Sequence, residues 1–312
     1  MDALAGLLDG PRARGAFLLR SSWTAPWGLR ILAESPLTLL AVPRGELWIL
    51  PDGGEPLQVR AGDIAITRGP DHYSVVDHPD TEPTITIFPG QDCRDEHGET
   101  VEESMSFGVR SWGNHHDGET IMMVGAYHSF GEIGDRLLGT LPPVLVLREE
   151  QWACPLVPLL DDEVVKDHPG QVAVLDRLLD LVVIAALREW FDRPDAEPPA
   201  WYRALGDPVV GTAIRLMQAN PAEPWTVSSI ASAIGVSRAV LAKRFTEVLG
   251  EPPMTFLTNW RIDLAADLLR TPDLTLGAVA QQVGYSTPFA LSSAFKRVRG
   301  VSPQVHREAV TS

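Results

Sequence analysis

Apolar and polar residues along the first ninety positions fall into short runs separated by Gly, Pro and Asp. "AFLLRSSW", "WGLRIL", "LTLLAV", "GELWILP", "EPLQVRAGDIAIT", "HYSVVD" and "TITIF" are rich in β-branched and aromatic residues. Many short strands at such spacing predict a β-sandwich or barrel. Further on, "PGQVAVLDRLLDLVVIAALREWF" (Pro169 to Phe191) changes period and reads as a helix apolar nearly all round. One face can cover the barrel, while Val174, Leu178, Leu181 and Ala185 form a stripe suited to a partner subunit. "DRPDAEPPAW" comes next, and its three prolines in ten residues predict a semi-stiff tether.

Beyond the tether the pattern is helical and it repeats. Ile230, Ala231, Ile234 and Gly235 match Val279, Ala280, Val283 and Gly284 at an offset of 49. After one inserted residue, Leu241, Phe245, Gly250 and Pro253 match Leu291, Phe295, Gly300 and Pro303 at an offset of 50. Each copy reads as a Thr N-cap (Thr226, Thr275), a short helix holding a small Ala, and a Gly turn. A Ser N-cap (Ser237, Ser286), a second helix and a terminating Gly complete it. That order is a helix-turn-helix, whose second helix fits a DNA major groove. Between the copies lies "PMTFLTNWRIDLAADLLRT", where Leu257, Trp260, Leu264 and Leu268 recur at helical spacing and predict one amphipathic helix. Its roughly eighteen residues rise about 27 Å. Such a rod suits two reading helices set about 34 Å, one DNA turn, apart.

Length and charge sharpen this division. A chain of 312 residues predicts two domains. The net charge of −15 is unevenly shared: residues 205–312 hold 10 Lys/Arg and 8 Asp/Glu, leaving 16 and 33 for residues 1–204. The halves therefore carry +2 and −17, and only the second is compatible with phosphate. The opening residues have no signal-peptide pattern, and the apolar run "LVVIAAL" is far too short to span a bilayer. Two isolated cysteines, Cys93 and Cys154, make no disulfide framework. A cytoplasmic protein without membrane contact is expected.

Residues 207–308 resemble the DNA-binding domain of the AraC/XylS family of bacterial transcription regulators. The likeness is carried by "WTVSSIASAIGVSRAVLAKRF", "WRIDLAADLLR" and "VAQQVGYSTPFALSSAFKRVRGVSPQVHR". It implies a seven-helix domain whose third and sixth helices read promoter DNA, with RNA polymerase as a further partner. Carried over by position, Ser237 caps the first reading helix while Arg238, Ala239, Ala242 and Lys243 face the groove. Lys243 stands where members often have Arg and suits guanine or a phosphate; Arg244 lines the domain surface. On the second reading helix Thr287, Phe289, Ser292 and Ser293 face outward. Ser293 replaces a common Arg and His306 a common aromatic. Phe289 suits thymine methyls, and Lys296 and Arg297 suit phosphates.

"VRAGDIAITRGPDHYSV" (Val59 to Val75) resembles the second cupin motif, ending near His72. Residues 1–190 as a whole resemble the cupin-type sensor half of one AraC subgroup, "MVGAYHSF" and "LLGTLPPVLVLR" being part of that likeness. Metal cupins gather histidines and a carboxylate from two motifs. The strand pair "LLAVPRGELWILP", where the first motif falls, has no histidine. His72 alone cannot hold a catalytic metal, so neither an enzyme nor a cofactor is expected. Cys93, His97, His115 and His116 crowd into the acidic stretch Gly90 to Thr120, but their spacing fits no standard zinc set. That stretch reads as a polar loop. Trp23, Trp27, Trp48, Tyr73, Tyr127 and Phe130, with His72, are candidates to line an effector pocket.

These readings predict an α+β protein of two domains. Residues 1–191 form a cupin-like β-barrel with helices that senses and dimerises, 192–204 a linker, and 205–312 an all-α domain with two helix-turn-helix motifs. The function predicted is a one-component transcription regulator, a homodimer that binds double-stranded promoter DNA under control of a small-molecule or chemical signal. Three alternatives stay open. One is a metal-dependent cupin enzyme fused to a DNA module, the second an oxidant sensor acting through Cys93. The third is a constitutive architectural binder whose barrel only dimerises.

Overall fold

The computed structural model describes residues 17–127, 134, 138–152, 154–194, 196, 198–271 and 273–311, and Phe130 lies outside them. The chain divides into two compact units, one built from residues 11–130 and 138–193, the other chiefly from 194–312.

The first unit is built on two sheets. One has seven strands: β1 (Phe17–Trp23), β3 (Leu37–Arg44), β6 (Ile64–Arg68), β10 (Ser106–Gly108), β11 (Ser111–Gly113), β12 (Thr120–Tyr127) and β13 (Val144–Leu147). They run in the order β10-β11-β1-β12-β3-β6-β13. The other holds β2 (Gly28–Ile31), β4 (Glu46–Pro51), β5 (Leu57–Arg60), β7 (Tyr73–Val76), β8 (Ile85–Ile87) and β9 (Cys93–Asp95) in the order β5-β4-β7-β2-β8-β9. Trp23, Leu40, Val42 and Met122 of the first sheet and Leu29, Leu47, Ile49 and Val75 of the second share one core. The expected barrel is therefore a cupin-like sandwich of two facing sheets.

Strand β3 is buried over its first six residues, and β12 is buried at seven of its eight. Continuous apolar runs of this kind arise where both faces of a sheet are covered. Here the second cover is helical: α1 (Leu156–Val164) packs on β1 and β3, and the Tyr127 hydroxyl at the end of β12 donates to Asp180 Oδ1 of α2 (Gln171–Asp192) at 3.0 Å. The Gly-Asp turn of the cupin-like motif is held by Asp63. Its carboxylate accepts from Arg148 Nη1 at 2.8 Å and from the Arg60 and Glu149 N–H groups at 3.0 and 2.9 Å.

Two expectations change here. The polar loop expected from Gly90 to Thr120 instead supplies β9, β10 and β11, which extend both sheets, and its Trp112 enters the core. The stretch is acidic and Gly-rich, and each strand is only three residues long, too short for an alternating pattern to show. On α2, Leu178 packs within its own unit, while Val174 and Leu181 stay 46% and 49% exposed.

The second unit begins inside the expected linker: α3 (Ala200–Leu205) contributes Ala204 to a buried core. Seven helices continue the chain, α4 (Val210–Ala219), α5 (Val227–Ala233), α6 (Arg238–Leu249), α7 (Pro253–Leu269), α8 (Leu276–Gln282), α9 (Pro288–Arg299) and α10 (Pro303–Thr311). They enclose two separate cores. Ile214, Met217, Ile230, Leu241, Phe245 and Leu257 fill the first. Ile262, Ala266, Leu269, Val279, Leu291 and Phe295 fill the second. Helix α7 serves both, giving Leu257 to one and Ile262, Ala265 and Ala266 to the other. The expected single amphipathic stripe is replaced by two buried faces, and Leu264 and Leu268 are only half-buried. A rod wedged between two cores has to be apolar on different sides at its two ends.

Candidate nucleic-acid interface and sensor cavity

Both motifs close their turns by the same device. The Thr226 hydroxyl accepts from Ser229 N–H at 3.0 Å, and the Ser229 hydroxyl accepts from Thr226 N–H at 2.8 Å, a reciprocal cap at the start of α5. At the other end Gly235 takes φ +74°, letting Val236 N–H reach the Ala231 carbonyl at 2.9 Å. In the second copy Thr275 caps α8, Gly284 takes φ +83°, and Tyr285 N–H reaches the Ala280 carbonyl at 2.8 Å. Left-handed backbone of this kind favours glycine.

The copies differ in how the reading helix begins. Ser237 caps α6, accepting from Val240 N–H at 3.2 Å. The corresponding cap of α9 is Thr287, which accepts from Ala290 N–H at 3.1 Å, and not Ser286. Ser286 is the inserted residue and sits exposed in a longer turn. Pro288 explains the shift: proline suits the first helical position and forces an extended residue before it, and Thr287 has φ −143° and ψ 152°.

On α6, Arg238, Ala239 and Lys243 are exposed and Ala242 half-buried, opposite the buried Leu241 and Phe245. On α9, Phe289, Ser293, Lys296 and Arg297 are exposed and Ser292 half-buried, opposite Leu291, Ala294 and Phe295. Phe289 is 81% exposed. Val240, next to Ala239 on the same helix, is also exposed, at 49%.

Several cations of this unit have structural partners. Lys243 Nζ lies 3.8 Å from the Glu247 carboxylate, a loose and exposed pair. Arg244 binds Asp207, while Arg299 reaches the buried Asp263 at 2.7 Å. Arg261 of α7 donates to the Pro221 and Glu223 carbonyls at 2.7 and 2.6 Å, and burial lowers its pKa. His306 packs edge-on against Phe295, ring centroids 5.4 Å apart, filling the place expected for an aromatic.

In the sensor unit the candidate pocket residues lie elsewhere than expected. Trp23 and Trp27 stack at 5.0 Å, and Trp112 meets Trp23 edge-on at 5.3 Å, so these rings fill the core themselves. Tyr73 is buried, and its hydroxyl is bonded to that of Thr67 at 3.1 Å. Tyr127 is turned toward Asp180, Trp48 is half-buried between Gln58 and Val76, and His72 is half-buried, its Nε2 3.7 Å from Glu34. A cavity of about 350 Å³ opens instead between strands of the two sheets, walled by Leu19, Trp112, Met122 and Val124 of one and Leu29 and Ile87 of the other. Glu102 and Arg110 are charged groups in its lining. Its walls do not include Trp23, Trp27, Trp48, His72, Tyr73 or Tyr127. Arg110 Nη1 donates to Gln171 Oε1 at 3.0 Å, which links the cavity to the first turn of α2.

Cys93 also lines this cavity. Burial, then the nearby Glu102 and Asp92 carboxylates, pushes its thiol up to about 11. Burial likewise raises Cys154. His97 stands exposed near Glu96, His115 Nδ1 accepts from Asp117 N–H, and the His116 ring meets Phe107 at 5.7 Å. Among the described residues no three His, Cys, Asp or Glu side chains are placed to hold a metal ion. No helix of the described residues is long and apolar enough to cross a membrane.

A cupin-like sandwich joined in one chain to a duplicated helix-turn-helix defines a transcription regulator with a sensor domain. Residues 2–192 match the cupin family model, and residues 230–309 match that of the helix-turn-helix domain. An AraC-like transcription regulator of Streptomyces lividans is 31% identical over 100% of this chain and 99% of its own. The HTH-type transcriptional regulator AlkR of Acinetobacter baylyi is 27% identical over 99% of each. The DNA-binding domain of AdpA, solved in complex with a target DNA, is 30% identical over 33% of this chain and 93% of that one, with a TM-score of 0.32. The chain belongs to the AraC-like family of transcription regulators.

Proposed function

We propose that this regulator binds its promoter as a homodimer, with α6 and α9 entering successive major grooves of one duplex face. The supporting observation is the pair of outward stripes, each backed by its own buried core, at the two ends of the shared helix α7. Arg238, Ala239, Ala242 and Lys243 carry recognition on α6; Thr287, Phe289, Ser292 and Ser293 carry it on α9. Lys296 and Arg297 hold phosphates. The exposed Val174 and Leu181, seven residues apart on α2, are the contact to a second copy. RNA polymerase is the onward partner, and the protein works in the cytoplasm without catalysing a reaction.

An organic effector of modest size occupies the 350 Å³ cavity, its apolar part against Leu19, Met122 and Val124. By preferring one state of the chain it shifts operator occupancy, and a tenfold shift needs only about 1.4 kcal/mol of differential affinity. The experiment is fluorescence anisotropy with the full chain on duplexes from upstream of its own gene and on shuffled controls, over a range of salt. Equal affinity for both at every salt concentration would refute sequence-specific binding. Val124→Trp, which fills the cavity, separates the effector from the DNA reading: it should abolish the response to co-purifying ligand and leave basal operator affinity unchanged.

A further inference from the structure

The two reading helices descend from one repeated pattern but present opposite chemistry. At the aligned positions, α6 carries Arg238, Ala239, Ala242 and Lys243 where α9 carries Pro288, Phe289, Ser292 and Ser293. On α6 two cations frame two small residues, which let the backbone come close to base edges. On α9 a cation is missing from the first two turns, and Lys296, Arg297 and Arg299 stand together in the last. Recognition helices meet base edges with their N-terminal residues. The group that α9 offers there is Phe289, at 81% the most exposed of the large apolar side chains described. It shares one helical face with Ser292, Ser293 and Lys296, at spacings of three, four and seven.

Resting on the DNA-binding reading above, we infer that the two helices recognise different base edges. Helix α6 reads a guanine-bearing segment through Lys243 and Arg238, and α9 reads a thymine-bearing segment through the Phe289 ring. Guanine presents two acceptors, N7 and O6, that a cation satisfies; the C5-methyl of thymine is the apolar feature of a major-groove edge. Phe289 has no polar atom with which to distinguish any other base. The serines beside it are short and bond to either donors or acceptors, so they hold the helix in register without overriding that choice. The binding site is thus chemically asymmetric, guanine-reading in one groove segment and methyl-reading in the next, about one helical turn away.

The full chain is used to select duplexes from a random pool. Deoxyuridine then replaces thymine, and 7-deazaguanine replaces guanine, one position at a time. Removing a contacted methyl should weaken the wild type about fourfold, the equivalent of the roughly 0.8 kcal/mol of a buried methyl-sized group. Phe289→Ala should bind the thymine and uracil duplexes alike, and Lys243→Ala should lose its response to 7-deazaguanine in the other segment. Phe289 is exposed, so its removal leaves the core intact. Wild-type protein indifferent to uracil at every thymine overturns the assignment, as does Phe289→Ala that stays as sensitive as wild type. A pool with no enriched sequence overturns both the assignment and the DNA-binding reading beneath it.

Discussion

Arg244 of the first reading helix clamps Asp207, its Nε at 2.9 Å and its Nη2 at 2.8 Å from the same carboxylate oxygen. The other oxygen accepts the N–H groups of Val209 and Val210, both at 2.9 Å, and so caps α4. One carboxylate thereby fixes the α6 reading helix to the helix behind it. Burial raises the Asp207 pKa, but the Val210 N–H, the Arg244 guanidinium and the Val209 N–H outweigh it, and the net shift is downward. Asp207→Ala should cost about 1–2 kcal/mol, mostly through the lost cap. Arg244→Ala should cost less than about 1 kcal/mol, because half the guanidinium is in water. Since the folded pKa is depressed, the stabilisation is complete above the ordinary aspartate value of about 3.9 and lost as pH falls through the folded one. Urea unfolding of the full chain should show a wild-type advantage over Asp207→Ala that is flat between about pH 5 and 8 and shrinks in acid. An advantage that varies across neutral pH would mean another group carries it.

The two turn glycines should respond unequally to a methyl group. A Cβ on Gly235 would meet nothing within 4 Å, so Gly235→Ala bears only the left-handed backbone cost of about 1 kcal/mol. A Cβ on Gly284 would lie 2.8 Å from both Arg261 Nη2 and the Pro221 carbonyl, and 2.9 Å from Ala222 Cα. There the second motif's turn packs directly on the loop that Arg261 ties to α7. Gly284→Ala should therefore lower the unfolding midpoint of the helical unit clearly further than Gly235→Ala. Equal midpoints, measured by calorimetry on the full chain, would show that the close approach is not maintained in solution.

How much of this is legible in the residues depends on the range of the interaction involved. The duplicated caps and glycines are local: Thr226, Ser237 and Gly235 bond within five residues of themselves, and the sequence shows them. The one local slip, Ser286 for Thr287, comes from a proline whose effect falls on the residue before it. Helix α7 misleads because its two buried faces answer to two cores that only the tertiary structure creates. The cavity is least legible. Its Trp112 and Arg110 sit in an acidic stretch with no strand pattern, and whether tryptophans line a void or fill one depends on their mutual packing. The Trp23–Trp27 stack decides that, and a sequence does not show it.

Lys243 and Arg297 should fail in different ways when removed. Lys243 is 80% exposed on the stripe proposed to face the groove and only loosely held by Glu247, which leaves it free for the proposed base contact. Lys243→Ala should cost about 1–3 kcal/mol at one operator position and little on random DNA. Arg297 stands in the last turn of α9, where a phosphate contact is proposed. Arg297→Ala should weaken binding to all sequences and lower the log–log salt slope by about one. Affinity measured at four salt concentrations on operator and random duplexes separates the two. Equal losses on both duplexes for Lys243→Ala would place that side chain on the backbone rather than in the groove.

Cys93 provides the test between an organic effector and an oxidant signal. A thiol reacts as its thiolate, and sensing cysteines are exposed with a lowered pKa. Cys93 is the reverse: buried, its Sγ 3.3 Å from the Gln91 carbonyl, with Glu102 and Asp92 opposing the negative charge. With a pKa pushed up to about 11, only about one thiol in ten thousand is ionised at pH 7. Iodoacetamide should label Cys93 slowly in the folded chain, with a rate that climbs tenfold per pH unit through the neutral range. Glu102→Gln should speed that labelling by removing one of the opposing charges. Operator binding by Cys93→Ser should match the wild type before and after mild peroxide or hypochlorite. Fast labelling at pH 7, or oxidant-dependent binding lost in Cys93→Ser, would place sensing on the thiol rather than on the proposed effector cavity.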